Sequence, residues 1–157
     1  MDTPSERLIA ADVVRGVSRL LYRHDYLGVP EVPLGNGRRA DIMALGPKGE
    51  VIIVEVKVSK ADLLGDGKWR DYLEYCDRYF WAVPQGFDLA VFERAELGAD
   101  HSGLIVAYRY DAAIRREPVE RGLASARRRA ETLRIARMAA RRMMVMSSIL
   151  DVDLGEG

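Results

Sequence analysis

The chain has 157 residues, 48% of them hydrophobic and 31% charged, the balance of a water-soluble globular domain that can bury a core. Lys plus Arg and Asp plus Glu number 24 each, so net charge argues neither for nor against a polyanionic partner, and only the distribution of charge is informative. The single cysteine, Cys76, excludes an internal disulfide framework and a cysteine-cluster metal site; with no apolar window of membrane-spanning length and no leader-like start, a cytoplasmic protein is expected.

Thr3-Pro4-Ser5-Glu6 reads as a capping box opening a helix, which should follow directly. Ile9, Val13, Val17, Leu20 and Leu21 then form one apolar stripe at three- and four-residue spacing. Gly28, Pro30 and Pro33 interrupt the pattern, and Gly35-Asn36-Gly37 is a turn signal before a strand over Arg39 to Leu45. A second turn, Gly46-Pro47-Lys48-Gly49, leads into the β-branched run Val51 to Val58, so the two strands should form a hairpin. Helical spacing from Lys68 to Arg78 is followed by strand-like stretches at Tyr79 to Val83, Leu89 to Phe92 and Gly103 to Tyr110. A long helix from about Val119 to Met146 carries Leu123, Ala126, Ala130, Leu133, Ala136, Ala140 and Met143 on one stripe. The order is helix, three-strand stretch, helix, strands, helix: one mixed α/β domain over residues 1–150, with 151–157 as a flexible tail.

Glu55 and Lys57 are anomalous inside an apolar strand, because buried charges are costly unless something compensates them. Residues two apart share a strand face, so Glu55 and Lys57 project together, with Val54, Val56 and Val58 on the other side. The hairpin can bring Asp41 beside Glu55. Two carboxylates and an ammonium would then meet, a group that suits magnesium, with the Val56 carbonyl as a third protein ligand. The metal would polarise a phosphoryl oxygen and supply hydroxide, and Lys57 would orient that water or meet the developing charge. The same three residues also fit a buried salt-bridge group without catalytic duty.

Asp41 followed by Glu55-Val56-Lys57 on the next strand resembles the PD-(D/E)XK nuclease signature, with Ala40-Asp41 in place of Pro-Asp. More closely, Arg39 to Leu45 with Glu55 to Ser59, Asp62, Asp66, Lys68-Trp69, Tyr72 and Cys76-Asp77 resembles the MmcB-like DNA repair family, up to about Val83. The resemblance implies a restriction-endonuclease-like α/β/α core with a mixed sheet, magnesium (manganese as a substitute), and a DNA nuclease acting in repair. It also sets Lys68 where RecB-like members carry the glutamine of a Gln-x-x-x-Tyr helix motif, so that Lys68 and Tyr72 would face the DNA backbone.

Between Arg115 and Arg142 stand ten arginines against three acidic residues. On the solvent side of a helix, Arg127, Arg128 and Arg134 would contact phosphates and make binding salt-dependent; a solvated or dimer-packing face is the plainer reading. The apolar stripe suits a homodimer, and Met138, Met143, Met144 and Met146 suit core or dimer packing. Trp69, Trp81 and Cys76 are read as buried, and His24 and His101 as without a ligand role. Glu6 is read as a cap in preference to a metal ligand. Two other functions remain open: a non-catalytic DNA-binding repair accessory, which would tolerate Asp41→Ala and keep its DNA affinity, and a hydrolase of small phosphate esters, which would show no salt-dependent DNA binding.

Overall fold

The computed structural model describes residues 7–147; the capping box at residues 3–6 and the tail at 151–157 lie outside them. Helix α1, Ala10–Arg23, is followed by strands β1, Leu27–Pro33, β2, Arg39–Leu45, and β3, Val51–Val56; the short helix α2, Lys60–Gly65; strand β4, Arg78–Pro84; strands β5, Gly103–Ala107, and β6, Ala112–Arg116; and helix α3, Ser125–Met146. The six strands form one sheet in sequence order. β3, β4 and β5 run parallel, and every other neighbouring pair is antiparallel.

Alternation sorts the sheet residues onto two faces. Ile42, Ala44, Ile52, Val54, Phe80 and Ile105 pack against Val13, Val17, Leu20 and Leu21 of α1. Met43, Val51, Ile53, Tyr79, Trp81 and Val106 face α2, α3 and three 3-10 segments, Trp69–Tyr75, Leu89–Glu93 and Ala95–Leu97. The result is three layers around a mixed sheet, and the two parallel crossovers both occupy the second face. Trp69 and Trp81 are core residues whose indole N–H groups reach the carbonyls of Glu96 and Leu97, each at 3.0 Å. Cys76 is buried, and burial pushes its thiol up to about 12, so it is inert.

Several local readings change. Residues 7–9 are not helical, and α1 starts after Ile9, whose N–H is taken by the Asp12 carboxylate at 2.9 Å. The proline-broken stretch is edge strand β1, where a missing N–H costs no ladder bond on the open side. Lys68 to Arg78 holds a 3-10 helix rather than an α-helix. Leu89 to Phe92 is also 3-10, started by the Asp88 carboxylate on Ala90 N–H. Gly103 to Tyr110 is not one strand: Tyr108 N–H bonds Asp111 O at 2.7 Å, turning β5 into β6.

The largest correction is the orientation of α3, which begins at Ser125, not Val119. Its alanine and leucine stripe faces outward, with Leu133 and Met143 exposed, while Glu131 and Ile135 are buried. Met144 and Met146 are exposed too, so these methionines do not fill the core. Inward stand Arg127, over the Tyr75 ring at 4.5 Å; Arg128, on Asp77; and Arg134, on Glu131 at 3.0 Å. Further along, Arg142 donates to the carbonyls of Pro30 and Glu31, and Arg134 to that of Pro33. These arginines cover carbonyls of the open β1 edge, a standing hazard of edge strands, and their aliphatic stems cover apolar surface.

Close approach of α1 to the β5–β6 turn depends on Gly16. A Cβ there would lie 2.4 Å from the Asp111 carbonyl oxygen, which is backbone and cannot step aside. Gly16→Ala is therefore expected to destabilise by about 1–3 kcal/mol, as overpacking of a rigid contact does, read as a lowered midpoint in urea.

Candidate functional site

The last matched residues of the β2–β3 ladder are Ile42 and Val54. Beyond them the strands exchange side chains instead of carbonyls. Asp41 N–H donates to Glu55 Oε1 at 3.0 Å, and Val56 N–H donates to Asp41 Oδ2 at 2.8 Å. The hairpin thus brings the two carboxylates together where its strands part, with the backbone at Val56 against Asp41. Asp41 is half-buried and Glu55 is 4% exposed. Burial, and then the charge of Asp41, push the Glu55 carboxyl up to about 9. Two acids share a place that one cannot ionise in without the other's opposition.

Lys57 stands on the same face of the sheet and is also buried. Its ammonium does not rest on the acid pair: Nζ is 2.9 Å from Asp66 Oδ2 and 3.8 Å from Asp62 Oδ2, both supplied by α2 and its end. Burial works to lower the lysine, but the Asp66 hydrogen bond and the charges of Asp66, Asp62 and Glu55 hold it above its ordinary value. α2 is placed for this by Ser59, whose hydroxyl accepts from Asp62 N–H at 3.1 Å. Asp66 is the residue whose part sequence reasoning left unassigned. The signal was a buried lysine in need of a counter-ion, with an acid just past the next helix.

Lys68 and Tyr72 are not presented together. Lys68 is exposed, whereas Tyr72 is buried and its hydroxyl donates to Arg39 O at 3.1 Å. Burial and the nearby charges of Glu55 and Asp41 raise the Tyr72 phenol, which marks it as a wall of the site. Behind it, the fully buried Tyr79 hydroxyl has no hydrogen-bond partner among the described residues. Arg127, Arg128 and Arg134 lie on the protein-facing side of α3, engaged as described above, while Arg129, Arg137 and Arg141 are exposed.

Among the described residues no three His, Cys, Asp or Glu side chains gather as a metal-holding group. Magnesium keeps most of its waters and takes one or two carboxylates from the protein, so the pair Asp41 and Glu55 fits it, and a cation would offset the burial and the Asp41 charge that together raise the Glu55 carboxyl.

The fold and site define a three-layer α/β domain that presents paired carboxylates and a clamped lysine at the mouth of a strand hairpin. The chain belongs to the MmcB-like family of DNA repair proteins, whose model, described as "DNA repair protein MmcB-like", matches residues 3–149. It is similar to a solved structure described as the SPO1766 protein of unknown function from Silicibacter pomeroyi, at 43% identity and a TM-score of 0.78 over 98% of each chain. No curated protein matches. No helix among the described residues is long and apolar enough to cross a membrane.

Proposed function

We propose that this domain is a DNA nuclease of the PD-(D/E)XK type, with Asp41, Glu55 and the Val56 carbonyl as ligands of a divalent cation and Lys57 as the catalytic cation. The observation that carries the reading is the carboxylate pair itself, Asp41 and Glu55 each bonded to the other's strand, with Glu55 in a place where burial first and the Asp41 charge second raise its carboxyl and a cation would ionise it. The order α1-β1-β2-β3-α2-β4, with the acid on the second strand and Glu-Val-Lys on the third, supports the restriction-endonuclease-like assignment. Held by Asp41, Glu55 and the Val56 carbonyl, magnesium, or manganese in its place, would polarise a phosphoryl oxygen and make hydroxide available at neutral pH. Lys57, held charged by Asp66, meets the negative charge that grows on the phosphate. Exposed Lys68 supplies a phosphate contact beside the site.

A second reading, a DNA-binding repair accessory without catalysis, draws on the same lysine: with Asp66 and Asp62 both on Nζ, Lys57 can serve as a structural ion pair. The deciding experiment compares wild type, Asp41→Ala and Lys57→Ala on labelled single-stranded, duplex, flap and four-way-junction DNA with magnesium or manganese. Cleavage that needs the metal and disappears in both variants establishes the nuclease. DNA bound equally by all three proteins and never cut establishes the accessory. Sedimentation of the wild type reads the homodimer, for which the outward stripe of α3 offers a face, and a repair-protein partner is part of the same proposal.

A further inference from the structure

A cleft of about 500 Å3 opens directly behind the Lys57 clamp, between α2, the start of the 3-10 helix Trp69–Tyr75, and the segment Ala95–Leu97. Asp66 belongs to both places: its carboxylate holds Lys57 and its side chain lines the cleft. The path from the catalytic lysine into the cleft is therefore one side chain long. Leu63, Trp69 and Leu97 close the cleft from inside and are buried, so the apolar side chain open to a ligand is Leu64, 46% exposed at its edge.

Two guanidiniums line this cleft. Arg70 lies over the Trp69 ring, 4.7 Å from its centroid, a contact that uses the face of the guanidinium and leaves its N–H groups for a ligand. Arg94 is exposed, and its side chain makes no ion pair or hydrogen bond among the described residues. Of the two acids lining the cleft, Asp66 is already committed to Lys57, leaving Glu96 alone against both arginines. Lys68, exposed and next to Asp66, adds a third cation. On α3, by contrast, Arg127, Arg128 and Arg134 are spent on protein partners.

We propose that this cleft is the track of a single nucleic-acid strand, with Arg70 and Arg94 on its phosphates and an unpaired base against Leu64. The proposal rests on the reading that the Asp41–Glu55–Lys57 site meets nucleic acid, and names the form it takes. Cations alone would serve a duplex equally well. Exposed Leu64 beside the two arginines favours a single strand, because a duplex turns its bases inward and offers an apolar side chain only phosphates and sugars, whereas an unpaired base gains from apolar contact.

The test measures binding of a fluorescently labelled single-stranded oligonucleotide and its duplex to the full chain in EDTA, where cleavage is off. Arg70→Glu with Arg94→Glu is expected to weaken single-strand binding at least about tenfold, and to lower the salt slope by roughly 1.4, the share of two phosphates at about 0.7 each. Arg94→Glu alone, at a side chain that supports nothing in the fold, is expected to account for about half of that slope change. Arg129→Glu, on the outward face of α3, is the control and leaves binding unchanged. Wild-type affinity in the double variant overturns the proposal, and equal losses for single strand and duplex overturn the single-strand assignment. If metal-dependent cleavage persists while these substitutions do nothing, the cleft falls and the nuclease stands. If no cleavage is found yet the arginines govern single-strand binding, the nuclease falls and the cleft stands.

Discussion

In metal-free buffer at neutral pH, Glu55→Gln is expected to melt higher than wild type, and in magnesium to cut nothing. Glutamine keeps an oxygen for Asp41 N–H, so the backbone clamp survives. What it removes is a carboxyl that burial and Asp41 hold at about 9 against an ordinary 4.5. An acid with a raised folded pKa destabilises the fold once the unfolded chain can ionise. The loss begins near 4.5, grows as pH rises, and levels off above about 9. At about 1.4 kcal/mol per pKa unit the effect reaches a few kcal/mol at neutral pH, and each ~1 kcal/mol moves the melting temperature by roughly 2–4 °C in a chain of this size. Thermal melts of both proteins from pH 4 to 9 should therefore diverge with rising pH. Magnesium should then lift the wild type, since a ligand that binds only the folded form stabilises it, and leave Glu55→Gln where it was. A wild type indifferent to magnesium, together with a Glu55→Gln that melts lower, would mean that the carboxylates exist to tie β2 to β3.

How much of this was legible in the sequence depends on the range of the forces involved. The β-branched run of β3 and the turn before it are local signals, and period-two alternation was enough to put Glu55 and Lys57 on one face opposite Val56 and Val58. The hairpin then brought Asp41 to Glu55. What alternation cannot reveal is which acid a lysine chooses: Lys57 reaches across to Asp66, a partner fixed by the capping of α2 and not by the strand. The strand β1 was hidden by prolines that only an edge position tolerates, and position in a sheet is not a local property. The face of α3 was misread for a related reason. Apolar periodicity sends Leu133 and its alanines inward, but the helix is turned by buried acids at Asp77 and Glu131, which need guanidiniums more than the stripe needs cover.

That explanation makes Arg128→Ala the substitution with the largest expected effect on stability. Asp77, at the start of β4, is completely buried and accepts four hydrogen bonds: from Val51 N–H and Leu123 N–H, each at 2.8 Å, and from the two terminal nitrogens of Arg128 at 2.7 and 2.6 Å. One carboxylate thereby joins β3, the chain entering α3, and α3 itself. Without Arg128 it becomes a buried charge with no counter-ion, which costs about 3–5 kcal/mol in a closed site; because Arg128 is partly open to solvent, about 3 kcal/mol is the better expectation. That corresponds to a melting temperature roughly 6–12 °C lower, with α3 the first element to lose hydrogen-exchange protection. The pH dependence runs opposite to that of Glu55. Burial works to raise Asp77, but the Arg128 hydrogen bonds and the two backbone N–H groups hold its carboxyl below the ordinary 3.8. Its stabilisation is complete above 3.8 and disappears as pH falls through the lower folded value. In Arg128→Ala that acid-side loss should shrink, because the folded carboxyl returns toward its ordinary range. Asp77 thus stabilises only above the acid limit, while Glu55 destabilises progressively from about 4.5 upward. The two acids therefore pull in opposite directions on either side of the ordinary carboxylate range. A cation held at the carboxylate pair would remove the Glu55 cost, so the wild type's loss of stability between about pH 4.5 and neutrality should shrink when magnesium is added, and should not shrink in Asp41→Ala.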